Sequence, residues 1–72
     1  MGITEDLADK LAQDVIAAME KLGDDRLPDE VADVIGATSP TTEEAFRTAV
    51  RVRTAEQRAR KFLASKLGED EA

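Results

Sequence analysis

Apolar residues recur at helical spacing through the first third of the chain. Leu7, Leu11, Val15, Ala18 and Leu22 step by four and three, with Ala8, Ala12, Ile16 and Met19 widening the stripe. Asp6, Asp9, Lys10, Gln13, Asp14, Glu20 and Lys21 fill the opposite side, so residues 4–22 read as an amphipathic helix. Thr4 is its expected N-cap, and Glu5 and Asp6 complement the positive end of the helix dipole. Lys21, followed by Gly23, supplies the stop.

Asp24, Asp25 and Arg26 make a short connection, and Pro28 then sits where a first helical residue loses nothing by lacking an N–H. Leu27, Val31, Val34 and Ile35 mark one face of a helix over 28–36 that ends at Gly36. At this length it is too short to stand alone and must pack on its neighbours. Ser39 before Pro40 suits a cap, while Thr41 and Glu44 have the spacing of a capping box.

A third helix is expected over 41–67, roughly 40 Å long at 1.5 Å per residue, with Gly68 as its C-cap and 68–72 as a frayed acidic tail. Val50, Arg51, Val52 and Arg53 alternate with period two and admit a short strand, but the alanine, glutamate, glutamine and arginine on either side favour helix. The expected fold class is therefore all-α: one domain over residues 1–72, built as helix, short helix and long C-terminal helix.

Composition makes self-association or a partner attractive. The chain has 72 residues with 42% in the apolar set, but twelve of these residues are alanine. A single core of this size supplies only about 3–5 kcal/mol, and small proteins usually add disulfides, a metal or a second subunit. Without cysteine or histidine there is no disulfide, and a structural zinc is not expected. Met1 to Leu22 lacks the basic start and unbroken apolar core of a secretory signal, and no stretch is apolar for long enough to span a bilayer, so a soluble, cytoplasmic chain is expected.

The net charge of −6 conceals a division along the chain. Residues 1–40 carry ten acids and three bases, whereas 46–67 carry seven bases against Glu56. In one reading the basic helix folds back on the acidic half and neutralises it. In the other its cations face outward toward an anionic partner.

Within the long helix, Ala45, Ala49, Val52, Glu56, Ala59, Leu63 and Lys66 keep heptad steps of four and three. Ala49, Val52, Glu56, Ala59 and Leu63, rimmed by Arg53 and Arg60, form the candidate interaction seam, whose small residues admit another backbone. Glu56 reaches Arg60 and Arg53 within its own helix, or the same arginines of an antiparallel second copy. On another face Arg47, Arg51, Arg58 and Lys61 line up as a possible anion-facing stripe, although no tyrosine or tryptophan accompanies them as a base-stacking platform, and both phenylalanines are expected in the core.

Residues 31–38 (Val-Ala-Asp-Val-Ile-Gly-Ala-Thr) resemble the first helix and turn of a helix-turn-helix, a likeness extending from Pro28 to Arg47. The resemblance implies a nucleic-acid-binding regulator. Thr42 stands where such motifs usually carry a bulky apolar residue, and Glu43 and Glu44 place two carboxylates in the turn that would approach base edges. Net negative charge also opposes the counterion release that dominates such binding.

No nucleophile, metal-ligand cluster or phosphate loop stands out. The paired acids, Asp24 with Asp25 and Asp29 with Glu30, sit at helix starts where the dipole accounts for them. The expectation is a non-enzymatic interaction module or small regulator acting by helix packing, without catalytic residues, cofactor, metal, small-molecule substrate or membrane. Its partner is a second copy or another helical protein, and the nucleic-acid reading is the alternative.

Overall fold

A computed structural model describes residues 2–71, with side chains for residues 2–68, as three helices: α1 (Ile3–Leu22), α2 (Leu27–Gly36) and α3 (Pro40–Glu71). The all-α class and the element order agree with the hydrophobic pattern. Residues 50–53 are helical, so their period-two alternation reflects surface decoration of α3 and not a strand.

Local chemistry accounts for most helix ends. At the start of α1 the cap is Gly2 instead of the expected Thr4, and Glu5 Oε1 accepts the Gly2 N–H at 3.2 Å. The acidic first turn thus ties down one backbone donor as well as meeting the dipole. At the other end Gly23 adopts φ 67°, ψ 29°, the left-handed conformation that closes a helix, and the Asp24 N–H returns to Met19 O at 3.1 Å. Asp24 Oδ1 then accepts the Arg26 N–H at 3.0 Å, folding the connection into α2, whose first turn contains Pro28.

The Thr41–Glu44 capping box does not form; Ser39 caps α3 instead. Its Oγ accepts the Thr42 N–H at 3.2 Å and lies 2.7 Å from Thr42 Oγ1, and Pro40 occupies the first helical position. Gly68 does not stop α3, which continues to Glu71. Glycine weakens a helix interior by about 1 kcal/mol but ends it only when the chain takes a left-handed turn, and Gly23 is the glycine with positive φ among the described residues. The expected acidic tail at 68–72 therefore continues α3 in its backbone as far as Glu71, while the side chains of 69–71 and Ala72 lie outside the described residues.

Phe46 of α3 is the centre of the core, with 0% of its surface exposed. Ala8, Ala12 and Val15 of α1 and Ala32 of α2 surround it, and Leu27, Val31, Ile35, Ala45, Ala49 and Val50 pack around them. Alanine at these contacts lets the helix backbones approach closely.

The buried side of α1 is rotated from the expected stripe. Ala8, Ala12, Val15 and Ile16 are buried, whereas Leu7, Leu11 and Leu22 are exposed. Leu7 and Leu11 adjoin the buried Ala8 and Ala12 in sequence, so the difference is one of helical phase: α1 turns its alanine side toward Phe46 and Ala32. Val34 on α2 is exposed, and so is Phe62 on the part of α3 that runs past the other helices, where core positions were expected.

Candidate interaction surface

The molecule measures 51 × 30 × 13 Å along its principal axes, and the long dimension is essentially α3, whose 32 residues span about 48 Å. The helix outruns the other two. Phe46 is buried and Ala49 and Val50 are half-buried, but from Ala55 to Gly68 every described residue is exposed. Apolar side chains continue into this projecting half, with Phe62 65%, Leu63 55% and Leu67 55% exposed.

Along the packed half, α1 and α3 leave an open groove of about 1270 Å³. Ala45, Ala49 and Val52 form its apolar floor, while Glu5 and Asp9 of α1 and Glu44 and Glu56 of α3 bring carboxylates to it and Arg53 a guanidinium. With 3.6 residues per turn, Ala59, Leu63 and Leu67 lie on nearly the same face of α3 as Ala49 and Val52, so the groove floor runs on into the projecting stripe.

The candidate seam residues occupy different environments. Ala49 is half-buried against the core, Val52 is 62% exposed beside the groove, and Ala59 and Leu63 lie on the projecting half. Arg53 is engaged within the molecule: its Nε and Nη2 donate to the two Asp9 carboxylate oxygens at 2.5 and 2.7 Å, joining α1 to α3. Hydrogen bonding to Arg53 pulls the Asp9 carboxyl below the usual aspartate range, against the opposing effect of its partial burial. The same pair raises the Arg53 guanidinium above its ordinary value. Arg60 donates to Glu56 one turn earlier on the exposed face.

The anion-facing stripe divides in two. Arg47 donates to Glu43 at 3.0 Å, Asp29 at 3.1 Å and Asp33 at 3.5 Å, holding α2 to α3. Its guanidinium is raised above the ordinary value chiefly by the Glu43 hydrogen bond. Arg51 lies 3.7 Å from Glu44, whereas Arg58 and Lys61 stand on the projecting half. The basic helix is thus paired with acids where it meets α1 and α2, through Arg53 and Arg47.

Sequence periodicity placed Ala49, Val52, Ala59 and Leu63 on one face of α3 but gave no sign of the wall that α1 adds to the groove. Glu5 and Asp9 gave no signal as groove residues, because their approach to α3 depends on which face of α1 turns inward. At the resembled helix-turn-helix, Glu43 folds over Gly36 and pairs with Arg47, while Glu44 reaches Arg51. Both carboxylates in the turn are therefore engaged with arginines.

Among the described residues no cluster of three or more potential ligands gathers for a metal ion, and no helix is long and apolar enough to cross a membrane. No protein-family model matches the chain, and neither a curated protein nor a solved structure does. The fold places the chain in the class of small all-α proteins. Beyond that class, its surface is the guide to what it does.

Proposed function

We propose that this chain is a non-enzymatic interaction module that acts by helix packing through the α3 seam, with a second copy as the favoured partner. One observation carries the reading: α3 extends beyond its own domain while its apolar stripe continues through Val52, Ala59 and Leu63. Apolar side chains repeated on one face of an otherwise solvated helix are suited to bury against another helix. The modest core adds to this, since burial of the stripe would supply stability that a chain this small otherwise lacks. A cytoplasmic setting is part of the same reading, supported by a cysteine-free chain that gains nothing from an oxidising compartment.

The test is absolute mass in solution at low and high salt, for the natural sequence and for Ala59→Glu. Packing through an apolar seam predicts assembly that survives high salt and is lost in Ala59→Glu, with helix content unchanged because Ala59 is exposed. Unaltered assembly and unaltered partner binding in Ala59→Glu would overturn the seam. The nucleic-acid alternative, through 28–47 and the stripe of Arg47, Arg51, Arg58 and Lys61, instead requires binding that collapses with salt and with removal of Arg58 and Lys61.

A further inference from the structure

The two halves of α3 are held in helical form by different forces. Up to Arg53 the helix is tied to its neighbours. Phe46 shares the buried cluster with α1 and α2, Arg47 holds Asp29 and Asp33 of α2, and Arg53 holds Asp9 of α1. Gln57 still lines a small hollow with Ile16 and Glu20 of α1. From Arg58 to Gly68 every residue is exposed, Phe62, Leu63 and Leu67 among them. Arg60 reaches back one turn to Glu56, and Lys66 Nζ lies 5.7 Å from the centre of the Phe62 ring, also one turn away. Such pairs along an exposed helix add little to its stability.

A stretch of eleven residues, 58–68, would be marginal as a helix by itself. Joined to the packed half it is spared the cost of nucleation, and Ala59, Arg60, Lys61, Leu63 and Ala64 are good helix formers, with Ser65 and Gly68 weaker. Its order therefore comes from local preference. Burial, which makes the packed half fold and unfold together with α1 and α2, does not reach it.

We infer that the projecting half of α3 is a separately opening unit, in which residues 58–68 unwind and rewind in the single chain while α1, α2 and residues 40–54 stay folded. Helix–coil exchange of this kind takes about a microsecond or less. The inference goes beyond the seam proposed above and stands without it. Its consequence for any partner is direct: Leu63 and Leu67 share a face with Ala59 only in the wound state. A partner that needs that face binds only the wound state, and its apparent affinity scales with the wound fraction.

Backbone hydrogen exchange, followed by mass spectrometry of peptides, tests this, with mass in solution recorded on the same sample. Where the natural chain is paired, Ala59→Glu supplies the single copy. Amides of 58–68 are expected to exchange at least about tenfold faster than those of 46–53, because local opening frees the former and global unfolding the latter. Two matched variants then separate the halves. Arg51 and Lys61 are both exposed on α3, and glycine at either position weakens the local helix by roughly fourfold. Arg51→Gly is expected to speed exchange several-fold in the packed helices, including α1 around Ala12. Lys61→Gly is expected to speed exchange in 58–68 and to leave α1 at its natural rate. Equal protection of 58–68 and 46–53 in a single copy would overturn the inference. So would a Lys61→Gly variant that speeds α1 as much as Arg51→Gly does, because α3 would then melt as one piece. Neither result touches the seam, which fails instead on unaltered assembly and partner binding in Ala59→Glu.

Discussion

Asp9 shows how much one polar side chain decides in this molecule. It lies on the face of α1 expected to be solvated, yet it accepts both donors of Arg53 and so fixes the side of α1 turned toward α3. Its folded-state pKa lies below the ordinary aspartate value of 3.8. The native state therefore binds fewer protons than the unfolded chain in the interval between those two values, and stability rises with pH across it. The contribution is complete above the unfolded value and is lost as the pH falls through the folded one. Thermal melts between pH 2 and pH 7 should show the natural protein weakening below about pH 4. Asp9→Asn should begin with a lower melting temperature at neutral pH and have a shallower acid slope. Equal slopes in the two proteins would mean that Asp9 does not carry the acid response.

At the scale of the helix, two glycines do opposite jobs. Gly23 has open space around its Cα but a φ of 67°, so Gly23→Ala should cost about 1–2 kcal/mol through backbone strain. Gly36 has negative φ, and the constraint there is steric: an added Cβ would collide with Glu43 Oε1. Gly36→Ala must push the Glu43 carboxylate aside and disturb its bond to Arg47, offsetting the roughly 1 kcal/mol that alanine gains over glycine in a helix. Its net effect should be small in the natural sequence and stabilising in a Glu43→Ala background. Urea titration of the two single variants and the double variant measures that difference.

These helix ends also mark what the sequence reveals. Glu5, Gly23, Pro28 and Ser39 act on backbone groups within a few residues, so α1, α2 and the start of α3 were legible from local pattern. The phase of burial was not. Leu7 and Leu11 have the stronger hydrophobic signal, but Ala8 and Ala12 face the core because α3 packs closest where side chains are small. Phe62 and Phe46 are the same residue type on one helix, and only tertiary reach separates them. The apolar face of α3 could be read from heptad spacing, whereas the contribution of α1 to the groove required the fold.

For the whole molecule, the weight resting on Phe46 follows from how little else is buried. The buried apolar side chains are Ala8, Ala12, Val15, Ile16, Ala32 and Phe46, and three of these are alanines. Phe46 is the largest side chain fully enclosed, and it shares one buried cluster with Ala8, Ala12 and Val15 of α1 and Ala32 of α2. Truncation of a buried phenylalanine to alanine costs about 3–5 kcal/mol, as much as a core of this size supplies in total. Phe46→Ala should therefore be largely unfolded at micromolar concentration, with helical circular dichroism well below that of the natural protein. Phe62→Ala, on the exposed half, should change the stability of the isolated chain by no more than about 0.5 kcal/mol. A second copy on the seam would add stability by mass action, so raising the concentration should recover part of the helix signal in Phe46→Ala. Recovery that vanishes when Ala59→Glu is combined with Phe46→Ala would tie the missing stability of the small core to the surface of α3. Recovery that persists in the combined variant would place the association elsewhere, with the exposed Leu7 and Leu11 of α1 the next surface to substitute.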